Sequence, residues 1–201
     1  YQKLFGDPFD FAYDPLLPDG LVQPVMTLPF KIGDVWLLTS GPHGGWNEGS
    51  AWAALDFAPP GEAYGCFPSA AYVVSSTDGR VVRTGDGAVV VDLDGDGFEQ
   101  TGWTILYMHI ATEGRIVEGT ILQPGDIIGH ASCEGGFSSG THLHIARRYN
   151  GVWIAADGNS PFIMDEWIAH SNGIEYDGYL TKNGVRVEAW DGRAEINQIS
   201  R

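Results

Sequence analysis

The sequence predicts a mainly β fold, in which antiparallel sheets form a sandwich or a partly open barrel behind an irregular N-terminal arm. Three observations predict it: short β-branched runs alternate with turn dipeptides, glycine is abundant at 28 residues, and only 18% of the residues are charged. A chain of 201 residues has the usual length of one domain and can bury a core without a disulfide scaffold.

The predicted strands are short and evenly spaced. Asp78-Gly79 and Asp86-Gly87 lie between runs, and dipeptides of this type form hairpin turns. The eight predicted runs are 35–39, 70–76, 80–84, 88–93, 103–110, 114–122, 126–129 and 141–147. Eight runs at this spacing indicate a mostly antiparallel β domain.

Both ends of the chain extend this domain. Residues 1–33 are rich in proline, aspartate and aromatic residues and predict an arm packed on the domain, which itself spans 34–158. Residues 159–201 predict a C-terminal extension packed on the same domain. Within it, Ser160 and Pro161 predict the start of a helix and Asn172-Gly173 its end, while 179–199 predicts a hairpin around Asn183-Gly184 and Asp191-Gly192.

Charge excludes several classes of function. The chain has 26 acidic and 11 basic residues, a formal net charge of −15, which excludes a general nucleic-acid binder and disfavours docking on anionic membranes. No run approaches the ~20 apolar residues that span a bilayer, so we expect no membrane span. Cys66 and Cys133 permit either one disulfide, which indicates an oxidising compartment, or two buried thiols.

The histidines supply the candidate chemistry. His142 and His144 lie two residues apart in a predicted strand, so their side chains project from the same face. This pair indicates either a metal or hydrogen-bonded reaction site, or a chance pair on a solvent face. His109, near the end of another predicted strand, taken alone is most typical of a core histidine.

A carboxylate completes the pattern. His43 lies in a glycine-bracketed loop, and Asp56 is the one acid in the apolar stretch 51–60, where a buried carboxylate requires a cation or several hydrogen-bond donors. A set of two histidines and one carboxylate leaves a fourth tetrahedral position for water, as catalytic zinc sites do.

On these residues the sequence resembles the lysostaphin-like zinc metalloendopeptidases of bacterial cell walls, and most of all their staphylolysin (β-lytic) branch. The resemblance spans residues 35–158. It rests on His43 and Asp56, on Tyr107-Met108-His109, and on the blocks 124–129, 133–136, 140–144 and 149–151.

The resemblance implies roles for five residues. His43, Asp56 and His144 match the zinc ligands of the family, while His109 and His142 match two histidines that face water and substrate without binding zinc. It does not decide which of these two is the general base. The implied activity is hydrolysis of a peptide bond in the stem or cross-bridge of peptidoglycan, often beside glycine, by a secreted or cell-envelope bacterial enzyme that we expect to be a monomer.

Two further implications concern the loops and the cysteines. Trp46, Trp52 and Phe137 could wall a narrow substrate groove, although ordinary loop packing is the more common explanation for each of them. Cys133 stands where the branch carries a disulfide partner, whereas Cys66 lies earlier than the family pattern suggests.

One acidic segment departs from the family. Asp92, Asp94 and Asp96 occupy alternate positions of an Asp-x-Asp-x-Asp-Gly segment, as in calcium loops, and Glu99 could add a fourth carboxylate. The twelfth position holds Trp103 in place of the acid of an EF-hand. The segment therefore predicts either a calcium site or an acidic, solvated turn.

Two other functions share these features. A non-catalytic wall-binding or regulatory module could use the same scaffold, although the complete set of site residues argues against it. A general extracellular protease for glycine-rich proteins would have the same site and differ only in substrate.

Overall fold

The computed structural model describes residues 16–46, 49–61 and 64–201. Within them the regular structure is almost entirely β, with one turn of 3-10 helix at Glu195–Asn197, so the predicted mainly β fold is confirmed. The first fifteen residues of the predicted N-terminal arm lie outside the described residues. No helix of the described part is long and apolar enough to cross a membrane.

Fifteen strands lie in the described residues. They are β1 (Val35–His43), β2 (Ala54–Ala58), β3 (Tyr72–Val74), β4 (Gly79–Gly85), β5 (Ala88–Asp92), β6 (Trp103–Met108), β7 (Ile121–Leu122), β8 (Ile127–His130), β9 (Leu143–Tyr149), β10 (Val152–Trp153), β11 (Ile163–Met164), β12 (Trp167–Ser171), β13 (Gly178–Lys182), β14 (Val185–Glu188) and β15 (Gln198–Ser200).

The strands form three antiparallel sheets. The largest has the order β15-β1-β2-β9-β6-β5-β4-β7, with β10 paired to β9 off this path. A second sheet has the order β11-β12-β13-β14, and β3 pairs with β8. Because β15 and β7 lie at opposite ends of the large sheet, it is open and not a closed barrel.

The central strands are buried on both faces. Every residue of β2, β5 and β6 is buried. One continuous core joins the arm, the large sheet and the C-terminal extension, with Phe30, Tyr107 and Leu180 all fully buried in it. Phe30 stacks on Trp36 with ring centroids 5.2 Å apart. The segments before and after the central domain therefore share its core.

The predicted helix in the extension is wrong. β11 and β12 form a hairpin there, and its turn residues Asp165 and Glu166 have φ of 46° and 67°. Phe162, Met164 and Ala169 are buried while residues between them are partly exposed, which fits the two-residue period of a strand. The Asp165 carboxylate accepts a hydrogen bond from the Leu28 N–H (2.9 Å) and so fixes the turn against the arm.

Other predicted boundaries are corrected in detail. β2 was not predicted, because its uniformly buried sequence lacks alternation. Of the predicted run 114–122, only Ile121–Leu122 is strand. Asp86-Gly87 joins the paired strands β4 and β5, whereas Asp78-Gly79 joins no such pair. Asn183-Gly184 does turn β13 into β14.

Cys66 and Cys133 form a disulfide, with a Cα–Cα distance of 5.8 Å and a sequence separation of 67 residues. The alternative of two buried thiols is thereby excluded. A loop of this length corresponds to a stabilisation of about 4 kcal/mol by the chain-entropy relation.

Glu99 lies in the connection between β5 and β6 but does not join the three aspartates of that connection. Its carboxylate pairs with Arg83 of β4, at 2.8 Å, and with Arg148 of β9. Hydrogen bonds from Arg83, and then those from Arg148, lower the pKa of Glu99 to about 2. Glu99 therefore links two strands of the large sheet, and its oxygens are already occupied.

We expect Glu99→Gln to lower the free energy of unfolding at neutral pH by about 1–2 kcal/mol, allowing for solvent screening of a partly exposed pair. Because the pKa is depressed on folding, the ionised form stabilises the protein above the unfolded pKa, and this contribution is lost as pH falls towards about 2. Urea unfolding at several pH values measures it. The exposed Glu113→Gln is the control, and an equal loss in both variants would contradict the assignment.

Candidate metal centre

Strand pairing brings two of the predicted histidines and the aspartate together. In the β2–β9 pair, Asp56 lies directly opposite His144, and in the β1–β2 pair His43 lies opposite Ala54. Directly opposed residues project from the same face of a sheet, so three distant segments converge on one point. All three side chains are buried.

Backbone carbonyls fix the orientation of both imidazoles. His43 Nδ1 donates to the Gly41 carbonyl at 2.9 Å, and His144 Nε2 donates to the Gly45 carbonyl at 3.1 Å. A carbonyl only accepts, so in the neutral rings the opposite nitrogens, His43 Nε2 and His144 Nδ1, carry lone pairs. These two nitrogens lie 3.0 Å apart, and each lies 3.2 Å from Asp56 Oδ1.

This arrangement fits a metal ion. A tetrahedral ion with ligands at ~2.0–2.1 Å separates its ligand atoms by roughly 3.3 Å, close to the observed triangle. Asp56 Oδ1 is a buried oxygen without a hydrogen-bond donor. Three electron-pair donors that converge without protons of their own require a cation between them. His43, Asp56 and His144 are therefore the residues that could hold a metal.

The electrostatics of His43, Asp56 and His144 also favour a bound cation. Burial alone would raise the pKa of the Asp56 carboxyl, but the neighbouring imidazoles of His43, His142 and His144 hold it well below its usual range. Burial likewise opposes protonation of His43, yet Asp56 outweighs burial and raises the pKa of His43. The carboxylate stays ionised, and it attracts positive charge into the centre.

The other two predicted histidines flank this centre. His142 Nδ1 donates to the Gly140 carbonyl at 2.7 Å, which directs Nε2 to within 3.7 Å of Asp56 Oδ1. His109 lies with its ring centroid 4.4 Å from that of His142 and 6.2 Å from that of His144. Burial, and then the neighbouring His142, lower the pKa of His109 to about 4. His109 is therefore neutral at neutral pH.

His109 depends on a close backbone contact. Its φ of 64° is in the left-handed region, which costs energy for a residue with a side chain. Its Nδ1 donates to the Glu134 carbonyl at 3.0 Å. Next to that carbonyl, a β-carbon at Gly135 would lie 1.9 Å from the Asp86 carbonyl, so only glycine lets the β4–β5 turn support this segment.

The C-terminal extension contributes to the centre, which the sequence analysis did not predict. Tyr176 stacks on His43 with ring centroids 4.6 Å apart. The backbone of Tyr176 accepts from the Gly41 N–H at 2.7 Å and donates to the Pro42 carbonyl at 3.1 Å. Glu175 accepts a hydrogen bond from the Gly44 N–H at 3.1 Å. No local pattern marks these residues, since their role arises from packing against a loop over 130 residues earlier.

A cleft adjoins the centre, with a volume of about 200 Å³. Its lining includes Asp56 and His142, with Tyr64 and Arg193 among the other side chains. None of the predicted groove residues Trp46, Trp52 and Phe137 lines it: Phe137 is 94% exposed, and Trp46 is 48% exposed.

A larger cavity of about 820 Å³ lies between the arm and the extension, around Met26 and Ile163, and contains none of the site histidines. The cleft next to the three converging side chains is therefore the relevant one for chemistry.

Comparison with known proteins agrees with this geometry. Residues 61–156 match peptidase family M23. This range, just under half of the chain, is similar to M23 peptidase domains. The matched range holds His109, His142 and His144, whereas His43 and Asp56 precede it, and it is the pairing of β2 with β9 that adds the aspartate.

Individual relatives extend the likeness beyond the matched range. Protease LasA of Pseudomonas aeruginosa strain PAO1 is 27% identical over 177 residues, covering 80% of this chain and 40% of LasA. LasA of strain UCBPP-PA14 is 26% identical over the same length. The chain thus spans 40% of the length of these curated relatives.

Among solved structures, Pseudoalterin, an M23 metalloprotease from the deep sea, superposes with a TM-score of 0.70 at 24% identity. The superposition covers 89% of this chain and 99% of Pseudoalterin. At this identity the likeness shows that the two proteins share a fold.

We expect Tyr176→Ala to lower the free energy of unfolding by about 1 kcal/mol, because the stacked ring on His43 is lost. Tyr176→Phe keeps the ring and should retain most of this contribution. Urea unfolding of the two variants separates them. Equal stability of the alanine variant and the wild type would show that the stacking is energetically neutral.

Proposed function

We propose that the protein is a zinc-dependent endopeptidase that hydrolyses peptide bonds of bacterial cell-wall peptidoglycan, next to glycine in the stem or cross-bridge. The observation that carries this proposal is the convergence of His43 Nε2, His144 Nδ1 and the unpartnered Asp56 Oδ1 within 3.2 Å of one another. The match of residues 61–156 to peptidase family M23 supports the reaction class. Two imidazoles and one carboxylate form a typical ligand set for catalytic zinc.

Zinc bound there would supply Lewis acidity, lowering the pKa of a water molecule and polarising the scissile carbonyl. The chain supplies the proton transfers. His109, neutral and with Nδ1 engaged by Glu134, presents its free Nε2 as the acceptor of a proton from the attacking water. The proton then passes to the leaving amide nitrogen.

His142 takes the complementary role. The ring centroids of His109 and His142 lie 4.4 Å apart, so the two imidazoles are in contact. His142 Nε2 lies 3.7 Å from Asp56 Oδ1, beside the candidate metal position. We assign it to donate a hydrogen bond to the developing oxyanion of the substrate.

The cleft supports a peptide of small residues. It lies beside His142 and has a volume of only about 200 Å³, which supports a substrate segment with small side chains. The Cys66–Cys133 disulfide supports action in an oxidising compartment, and we propose secretion or residence in the cell envelope on that ground.

Paired variants test the assignment of roles. We expect His144→Ala to lose zinc and activity together, and His109→Ala to keep one zinc per chain while turnover falls at least ~100-fold, the loss typical of a missing general base. Metal analysis and hydrolysis of purified sacculi measure the two effects. His170→Ala is the matched control, because His170 contacts Thr181 and Tyr179 away from the centre. Wild-type turnover in His144→Ala would contradict the proposal.

The substrate class needs a separate comparison. We expect soluble peptides to be released from sacculi at cross-bridges or stems, identified by mass spectrometry, and faster than fragments from a glycine-rich protein. Faster cleavage of the glycine-rich protein would favour a general extracellular protease. Zinc binding without hydrolysis of either substrate would favour a non-catalytic wall-binding module.

A further inference from the structure

The connection between β5 and β6 brings three carboxylates together, well away from the histidines. Asp92, Asp94 and Asp96 each place one oxygen within 4.8 Å of the others. Asp94 and Asp96 are exposed, whereas Asp92 is fully buried. The M23 chemistry proposed above uses none of these residues.

The buried carboxylate is incompletely satisfied. Asp92 Oδ2 accepts the Gly97 N–H at 2.9 Å, but Asp92 Oδ1 is buried without a hydrogen-bond donor. A buried, unpartnered carboxylate oxygen is costly, and the neighbouring acids add repulsion. Among the described residues, no Lys or Arg nitrogen lies within 4.0 Å of the three carboxylates, since Arg83 and Arg148 pair with Glu99 instead.

The rest of the loop holds this arrangement in place. Asp94 Oδ1 accepts the Asp96 N–H at 3.1 Å, and Asp96 accepts the Phe98 N–H at 2.7 Å and the Thr101 hydroxyl at 2.6 Å. Gly102 has a φ of 58°, and a β-carbon there would lie 2.3 Å from Asp94 Oδ2. The loop therefore keeps the acids close together even though their charges repel.

We infer that Asp92, Asp94 and Asp96 bind one calcium ion. The ligand atoms are all hard oxygens, which excludes a zinc site of the histidine type. Calcium accepts six to eight oxygens in flexible geometry, so water on the exposed side of Asp94 and Asp96 can complete its shell. Magnesium demands stricter octahedral geometry and fits a partly open loop less well.

The role of this ion is structural. Leu93 N–H donates to the Trp103 carbonyl and Asp92 pairs with Thr104, so the loop closes the β5–β6 pair. β6 carries the chain to His109 at its other end, roughly 17 Å along the strand. Bound calcium would stabilise this pair without touching the reacting groups.

The test uses the whole, zinc-loaded protein after exhaustive removal of calcium. Calorimetric titration with CaCl₂ should show one site per chain, and millimolar CaCl₂ should raise Tm by at least about 5 °C. NaCl at matched ionic strength, which screens the same charges, should not reproduce the shift.

Variants locate the site. Asp94→Asn, at an exposed position that tolerates the change, should lose calcium binding and the Tm increment, and Asp92→Asn should do so if it folds. The exposed Asp78→Asn, in a different turn, should respond as the wild type does. No calcium-dependent heat or Tm shift in the wild type, or a wild-type response in Asp94→Asn, would overturn the inference, and neither result bears on zinc or peptidase activity.

Discussion

The candidate site depends on one electrostatic constraint: two imidazole lone pairs and one carboxylate oxygen meet in a buried space without a proton among them. The carbonyls of Gly41 and Gly45 take the only protons of the neutral His43 and His144 rings. Asp56 brings a full negative charge that no donor satisfies at Oδ1. A cation stabilises all three atoms together, so these three residues are best explained as ligands of a metal ion.

The rest of the fold holds His43, Asp56 and His144 in place around the candidate metal position. Antiparallel pairing sets Asp56 opposite His144 in the interior of the large sheet, where a slip of one residue would turn the side chain to the other face. The β4–β5 turn supports the carbonyl that orients His109, and the extension stacks Tyr176 on His43. Neutrality of His109 follows from its burial, so the packing of the sheet also decides which group is free to accept a proton.

Local sequence patterns predicted the features that depend on local backbone geometry. The two-residue spacing of His142 and His144 predicted that their side chains project from one face of a strand. The grouping of His144 with His43 and Asp56 came from the family resemblance. The helix predicted from Pro161 does not form, because the apolar alternation around Phe162 outweighs the signals for helix ends. β2 was not predicted because a strand buried on both faces lacks the alternation of apolar and polar residues. Tyr176 was beyond prediction, since its contact with His43 exists only once the extension packs on β1.

A second feature of the molecule is its excess of acidic residues. The net charge is −15, and the two buried acids among the described residues, Asp56 and Asp92, each lie where a cation would stabilise the carboxylate. The most direct measurement of the central claim is zinc-edge X-ray absorption of the zinc-loaded protein. Two imidazole nitrogens and carboxylate or water oxygens around a four-coordinate ion are the predicted shell. A shell with sulfur, or one without imidazole, would contradict this account.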